Sequence, residues 1–261
     1  MAPEISNPDP TADKPPRPRR WIPVSLRMFA AMIVLLFVGS ALWVGVPIYR
    51  QHVAIREIER VGGYVQFYPN CPQWLRRRLN EDQLSLIDDV VLVYGGQATD
   101  ATMGYVSWLP KVGKLGLSGS QVTDTGLARI KEYRCLNVLT LQGTNVTDAG
   151  LAHLKSAIRL RQIWLSRTSV TDSGLGHLEG LDELHLLELD NTRVSDAGLA
   201  HLRGLTHLLE LSLDNTQVSD GGLVHLRGLT SLKRVSFVNT LVTDAGVAEL
   251  QRALPGLTIN R

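Results

Sequence analysis

A block of six residues returns every 24 residues through the C-terminal half of the chain, and this period constrains the fold more than any other feature. The block begins as Val-Thr-Asp-Thr-Gly-Leu at residue 122, and a weaker copy of the same unit occupies residues 98–121. No insertion or deletion interrupts the spacing before residue 246. Such a period is typical of a solenoid, in which each unit buries its apolar face only against its neighbours. The later copies are VTDAGL at 146, VTDSGL at 170, VSDAGL at 194, VSDGGL at 218 and VTDAGV at 242.

A second set of apolar residues lies out of phase with the block. In one unit it comprises Leu136, Leu139 and Leu141, followed by Thr144 and Val146. The Leu-x-Leu alternation predicts a short strand with one side in the core, and the block that follows predicts a helix. Stacked units therefore predict a parallel sheet on one side and helices on the other, which is an α/β fold. The set recurs as Leu160, Ile163, Leu165, Thr168, Val170; Leu184, Leu187, Leu189, Thr192, Val194; Leu208, Leu211, Leu213, Thr216, Val218; and Leu232, Val235, Phe237, Thr240, Val242.

Together these two patterns match the leucine-rich-repeat template, with Thr where that template has Asn or Cys. The chain resembles the bacterial leucine-rich-repeat proteins built from VTDAGL-type units of 24 residues. More distantly it is similar to the repeat half of F-box leucine-rich-repeat proteins. The resemblance covers about residues 86–261 and implies a solenoid with a concave parallel sheet and convex helices. It implies little about function, because solenoids of this kind serve many ends.

Two polar residues of each unit have predicted structural roles. The Thr after each strand, such as Thr144, is expected to bond backbone groups in its turn or in the neighbouring unit. The Asp of each block is expected to cap a helix, because a carboxylate at that point accepts backbone N–H bonds and complements the helix dipole. These aspartates are Asp124, Asp148, Asp172, Asp196, Asp220 and Asp244.

An uncharged apolar run of nineteen residues spans 28–46, and the stretch 28–49 is long enough to cross about 30 Å of hydrocarbon. We expect a single transmembrane helix there, preceded by a disordered Pro/Arg-rich tail over residues 1–27. A cleaved signal peptide and a buried core helix are the alternatives. Five Lys or Arg residues precede the run and three follow it within a similar distance, which places the N-terminus in the cytoplasm and the repeats outside it.

Residues 50–97 are expected to be a juxtamembrane segment and an N-terminal cap, and residues 98–261 the solenoid. Within the cap, 53–61 favours a helix, 64–68 a strand, 74–79 a short helix and 90–94 the first strand of the sheet. Basic residues 76–78 are either a solvated face or a contact for lipid headgroups. The two cysteines, Cys71 and Cys135, are either buried thiols or one bridge, because two cysteines make neither a disulfide framework nor a four-ligand zinc site.

The composition and motifs exclude several classes of function. A net charge of +2 gives no argument for a nucleic-acid partner. No phosphate loop, dinucleotide fingerprint or zinc-protease helix is present in the sequence, so we predict neither an enzyme nor a cofactor or small-molecule substrate. One histidine recurs in each unit and suggests a metal ladder, but neighbouring helices lie about 8–10 Å apart, too far for ligand atoms to converge. We therefore interpret as repeated surface residues His153, His177, His201 and His225.

The strand residues beside the inward leucines vary while the framework repeats, which is typical of a binding face. Trp164 stands where other units have Thr140, Glu188, Ser212 and Ser236, and a large aromatic on a polar sheet suits a binding anchor. Asp190 and Asp214 would stack on adjacent strands, an unfavourable pairing that favours a cationic partner or an ion, whereas Glu210 faces Arg234. The alternative is a solvated sheet with one exposed Trp. The predicted contact residues are Trp164, Glu188, Asp190, Glu210 and Asp214.

We therefore expect a membrane-anchored leucine-rich-repeat protein that binds a protein partner through its concave face. A structural envelope protein without a defined ligand is the second hypothesis. A substrate-recognition adaptor of the F-box type is the third, and the proline-rich tail and apolar run leave no room for an F-box before the repeats.

Overall fold

Strands of three residues, spaced 24 residues apart, form the sheet. The computed structural model describes residues 24–68, 89–109 and 111–261. All its repeat strands are parallel and follow one another in chain order, with Leu139 beside Ile163 and Ile163 beside Leu187. They are β3 Lys114–Gly116, β4 Val138–Thr140, β5 Gln162–Trp164, β6 Leu186–Glu188, β7 Glu210–Ser212, β8 Arg234–Ser236 and β9 Thr258–Asn260.

Two longer strands begin the sheet. β1 spans Tyr64–Tyr68 and pairs antiparallel with β2, which spans Asp89–Tyr94. β2 is parallel to β3, with Val93 beside Leu115, so the parallel order of the repeats continues into it. Both strands lie where the alternating sequence predicted them.

The helix predicted over 53–61 is the end of a longer helix. α1 spans Val24–Arg60 and ends where Gly62 adopts a φ of 75°, a left-handed conformation that glycine takes without a Cβ penalty. The amides of Gly62 and Gly63 close this end with bonds of 2.9 Å to carbonyls of the last turn. From Pro47 onward the helix belongs to the same compact unit as the repeats, and Ala54 and Ile58 are fully buried in its core.

Several predictions fall on residues that the structure does not describe. They are residues 1–23 of the predicted tail, the short helix over 74–79, the basic residues 76–78 and Cys71. The last four residues of the tail predicted over 1–27 are helical, because α1 already begins at Val24. Cys135 is a free thiol and partly buried. Most side chains over 29–44 also lie outside the description. Among the residues that are described, no helix combines the length and the apolar character needed to cross a bilayer.

The helix side of the repeats consists of short helical turns, not of the regular helices that the sequence suggested. Most blocks provide a single α-helical turn, which a 3-10 turn often continues, whereas the block at 218 provides a 3-10 turn alone. Only the last block extends to ten residues. The α-helical segments are Asp100–Val106, Asp124–Leu127, Asp148–Leu151, Asp172–Leu175, Asp196–Leu199 and Asp244–Ala253; the 3-10 segments are Ala128–Glu132, Ala152–Ser156, Ala200–Leu202 and Gly222–His225.

The core between the sheet and the helix side is a stack of leucines. Each unit contributes strand residues, such as Leu187 and Leu189, and a helix-side pair, such as Leu175 and Leu178, all without solvent exposure. Burying one such side chain contributes about 1.5–3 kcal/mol, and stacking against neighbouring units covers apolar surface that a single unit would leave exposed. The leucine spacing in the sequence therefore predicted the core correctly.

The prediction that the block aspartates cap helices is wrong. The cap is the residue before, as at Thr147, which has extended backbone and whose hydroxyl accepts the amide of Ala149. The carboxylate instead bonds the cap residue of the following unit. Asp148 accepts the backbone N–H of Thr171 at 2.8 Å and its hydroxyl at 2.6 Å. Each carboxylate thus links two units and fixes the start of the next helical turn.

We call this series the clamp ladder, and it occurs at six successive junctions. A glycine in the block of the following unit makes room for each of these carboxylates: a Cβ added to Gly174 would lie 2.3 Å from Oδ1 of Asp148. The block sequence is therefore explained by the link between units, since Thr or Ser donates to the Asp of the previous unit and Gly leaves room for that Asp. The clamped pairs are Asp100–Thr123, Asp124–Thr147, Asp148–Thr171, Asp172–Ser195, Asp196–Ser219 and Asp220–Thr243.

The threonine after each strand bonds its own turn. The hydroxyl of Thr144 donates to the carbonyl of Leu141 at 2.7 Å, and the buried hydroxyls of Thr168 and Thr192 repeat this bond at 2.6 Å. The sequence allowed a bond to the same turn or to the neighbouring unit, and the structure shows the bond to the same turn. The bond closes the corner at which the chain leaves the sheet.

Candidate binding face

The outward side chains of β4–β8 and of the residue two positions after each strand form one continuous surface, here called the strand face. The buried middle residue of each strand is flanked by partly exposed residues, because successive side chains of a strand point to opposite sides. The face carries three series of residues: Val138, Gln162, Leu186, Glu210, Arg234; Thr140, Trp164, Glu188, Ser212, Ser236; and Gln142, Ser166, Asp190, Asp214, Val238.

Trp164 lies on the strand face where the sequence predicted it. It ends β5, pairs with Thr140 on one side and Glu188 on the other, and is partly buried. An indole ring that is neither buried in the core nor fully exposed to solvent leaves apolar surface for a partner to cover. The structure therefore places the predicted anchor on the surface predicted for it.

Glu188 is held by residues of two other units. Its Oε1 accepts a hydrogen bond of 2.7 Å from the amide of Gln142 and one of 2.6 Å from the hydroxyl of Ser166. These bonds cross three consecutive strands beside Trp164. The carboxylate is thus a fixed acidic group next to the aromatic ring. Because it is already ordered, a partner that binds it loses little free energy in immobilising the side chain.

Asp190 and Asp214 are stacked as predicted, but internal bonds account for them. Oδ1 of Asp190 accepts the backbone N–H of Asp214 at 2.9 Å, and Oδ1 of Asp214 accepts that of Val238 at 2.8 Å. Each carboxylate therefore satisfies a backbone donor of the next unit, and their stacking no longer argues for a cationic partner or an ion. Burial raises the pKa of Asp190, with a smaller contribution from the neighbouring carboxylates of Asp214 and Glu188, against the lowering effect of bonds from Ser212 and Asp214.

Glu210 and Arg234 form an ion pair across adjacent strands, as their positions in the sequence suggested. The pair neutralises Glu210 and leaves it a smaller electrostatic role toward a partner. The remaining surface around it is a groove of about 280 Å³ that also includes Glu188 and Asn260. A second depression of about 280 Å³ lies beside Gln142, Ser166 and Asp190. Glu188 lines both, so it is the shared wall of the two concave parts of the face.

Arg167 was not among the predicted residues, although it lines the second depression. Its φ is 57°, in the left-handed region that disfavours a residue with a long side chain. The equivalent positions hold Gly or Asn in every other unit. A comparison of this one position along the repeats would have found Arg167 from the sequence. The equivalents, all with positive φ, are Gly119, Gly143, Asn191, Asn215 and Asn239.

The repeated histidines lie on the helix side, and two of them bond side chains of the preceding unit. Nδ1 of His201 lies 2.6 Å from Oε1 of Glu179, and Nδ1 of His225 accepts a bond of 2.9 Å from Nε of Arg203. Burial, and then the Arg203 charge, lower the pKa of His225. In the part of the chain that the structure describes, no three His, Cys, Asp or Glu side chains converge as metal ligands would.

Comparison with known proteins gives structural matches only. No family model and no curated protein sequence matches this chain. An internalin C2 of Listeria monocytogenes has a TM-score of 0.50 and 23% identity, covering 66% of this chain and 80% of that one. A second internalin of the same species, InlF, gives 0.46 and 20%, covering 60% and 49%. A leucine-rich-repeat protein of Leptospira interrogans gives 0.49 and 18%, covering 60% and 39%.

This chain thus spans about half the length of InlF and less of the Leptospira protein. At such identities the likeness concerns the fold alone. Together with the parallel strands every 24 residues and the leucine core, it shows that the chain has the leucine-rich-repeat fold.

Proposed function

We propose that this chain is a membrane-anchored, non-enzymatic leucine-rich-repeat protein that binds a protein partner through the strand face. One observation carries the proposal: Trp164 stands partly exposed on a face whose other units have small or polar residues at the same position. The framework around it repeats without change, so the ring is not required by the fold. Covering a Trp removes about 150–250 Å² from water, which is why this residue so often dominates interfaces.

The chemistry of the partner follows from the neighbours of Trp164. Glu188 is fixed beside the ring, whereas Asp190, Asp214 and Glu210 are engaged within the protein. A partner with an apolar side chain next to one Lys or Arg would cover the indole and pair with Glu188. The charge pair would contribute mainly to the association rate and to selectivity.

Capture from detergent-solubilised membranes tests the binding site. Trp164→Thr introduces the residue found at Thr140 and should weaken binding of the recovered partner by at least about 2 kcal/mol, roughly 30-fold. His177→Ala, on the helix side, is the matched control and should bind like the parent. A Trp164→Thr variant that binds normally, beside a His177→Ala variant that does not, would place the site on the other side. Recovery of no specific partner would favour a structural envelope role.

Membrane attachment is proposed from the sequence, with residues 28–49 as a single span, the N-terminus cytoplasmic and the repeats outside. The test is washing of membranes with alkaline carbonate, which should leave the protein in the pellet. Protease added to intact spheroplasts should then digest the repeats and spare the N-terminal tail. Protection of the repeats would reverse the orientation, and release by carbonate would contradict the span.

A further inference from the structure

An aromatic pair replaces polar residues in the first repeat unit only. Tyr105 stands where the following units have Arg129 and then the four repeated histidines. Trp108 stands at the position of the small or polar residues Glu132, Ser156, Gly180, Gly204 and Gly228. Neither aromatic is required by the repeat, since every later unit folds without one at these positions. The first unit therefore differs from the others on its helix side.

The two rings pack on each other and on α1. Tyr105 and Trp108 meet edge to face with their centroids 5.3 Å apart, and the guanidinium carbon of Arg50 lies 5.8 Å from the Trp108 ring centre. Trp108 nevertheless remains 41% exposed and Tyr49, beside Arg50 in the sequence, 70% exposed. The surface formed by Tyr49, Arg50, Tyr105 and Trp108 is here called the junction patch. It combines a cation with amphipathic aromatic rings that the protein itself leaves partly uncovered.

The position of the junction patch along the chain identifies what would cover it. Arg50 follows the apolar run by four residues, which is about 6 Å of helix. The headgroup layer on each side of the hydrocarbon is about 5–8 Å thick. Tyr and Trp are enriched in this layer because their rings are apolar with one polar group, and Arg reaches lipid phosphates from it.

We propose that the junction patch lies in the headgroup layer of the membrane and seats the first repeat unit on the lipid surface. The inference rests on the membrane anchoring proposed above. Seating at this end would fix the direction of the repeats relative to the membrane, because the span and the patch then make two separate contacts with lipid.

The tryptophans of the chain provide the test. Of the five, three lie in different regions, so the fluorescence of each reports the surroundings of one region. Three full-length variants each keep one of Trp43, Trp108 and Trp164, with the other four changed to Phe, and circular dichroism checks their fold. Each is reconstituted into phosphatidylcholine–phosphatidylglycerol vesicles, with or without lipid brominated near the headgroup end of the acyl chain. Bromine quenches only rings in contact with lipid. The protein can insert into the vesicle in either orientation without affecting the result, because the junction patch faces the membrane surface next to it in both.

We expect strong quenching of Trp43 in the apolar run, clear quenching of Trp108 and none of Trp164. Quenching of Trp43 without Trp108 would overturn the seating and leave the anchor intact. Absence of quenching at Trp43 would instead overturn the anchor itself. A Trp108 with blue-shifted but unquenched emission would mean that protein, such as a second copy, covers the patch, and would also overturn the inference.

Discussion

The clamp ladder and the strand face are built by the same 24-residue unit, yet they use polar side chains in opposite ways. At every rung of the ladder a carboxylate accepts a backbone N–H at 2.7–2.8 Å and a hydroxyl at 2.5–2.6 Å. On the face, the acids have three kinds of partner: Glu188 bonds side chains, Asp190 and Asp214 each bond a backbone amide of the next unit, and Glu210 bonds an arginine. Chemistry that repeats holds the solenoid together. Chemistry that does not repeat is available for recognition.

The largest expected effect is from filling the space that the ladder needs. Gly174→Ala would place a methyl group 2.3 Å from Oδ1 of Asp148 and 3.2 Å from Leu151. Either the clamp opens or the two units separate, so we expect a loss of about 3 kcal/mol in unfolding free energy, from overpacking together with lost hydrogen bonds. Urea unfolding of the full chain, followed by circular dichroism, measures it.

Gly176→Ala is the matched control, two residues further on. Its new methyl group meets nothing closer than 3.4 Å, and the equivalent positions hold Ala128, Ala152 and Ala200. We expect a gain of about 0.5 kcal/mol from the reduced freedom of the unfolded chain. Equal effects of the two substitutions would mean that the ladder does not depend on the space at Gly174.

Removing one clamp should cost somewhat less. Asp148→Ala leaves the amide and the hydroxyl of Thr171 without their acceptor, and we expect a loss of about 2 kcal/mol. A double-mutant cycle with Thr171→Ala separates the clamp from a helix cap, because a clamp couples the two residues across the junction. Additive effects of the two substitutions would show that Asp148 does not act through Thr171.

The ladder also shows what the sequence did and did not contain. The leucine spacing fixed the strands and the core, since burial follows directly from the period of apolar residues. The Asp–Thr contacts join residues 23 positions apart, and a local pattern such as Thr-Asp before a helix is equally consistent with a cap. The single repeated glycine was the missing clue, because a helix interior without a reason for Gly would favour Ala.

On the strand face the sequence predicted positions but not partners. It placed Trp164 among polar residues and Glu210 beside Arg234, both of which depend only on register. It did not predict that Gln142 reaches Glu188 two strands away, because side-chain length and direction decide that contact. Arg167 was missed for a different reason: its backbone conformation becomes unusual only when its unit is compared with the others.

Arg167→Asn tests whether an unfavourable backbone conformation beside the strand face lowers the stability of the protein. Asn adopts the left-handed conformation readily and already occupies the position in Asn191, so we expect a gain of about 1 kcal/mol in unfolding free energy. The reverse change, Asn191→Arg, should lose a similar amount. If Arg167→Asn is neutral while Asn191→Arg is destabilising, contacts of the Arg167 side chain offset its backbone, and its position is not strained.

The smallest expected effects are two opposite dependences on pH. Bonds from the hydroxyl and the backbone of Thr243 lower the pKa of Asp220 in the ladder, so its contribution to stability is present near neutral pH and is lost as pH falls below about 4. Burial chiefly raises the pKa of Asp190 on the strand face. Its ionised form therefore opposes folding near neutral pH, and this cost disappears as pH falls through the raised value.

Substitution by Asn, which keeps an acceptor oxygen but removes the charge, reports the two signs separately. Asp220→Asn should lower the urea midpoint near pH 7 and flatten its fall in acid, because the variant no longer has a carboxylate to protonate. Asp190→Asn should raise the midpoint near pH 7 by a smaller amount and leave little difference from the parent at about pH 3, where both side chains are neutral. The midpoints of the parent and the two variants across this range provide the measurement. If both substitutions shift the midpoint in the same direction near neutral pH, the ladder and the strand face do not differ in how they stabilise their carboxylates. The contrast between a structural ladder and a face open to recognition would then have no electrostatic support.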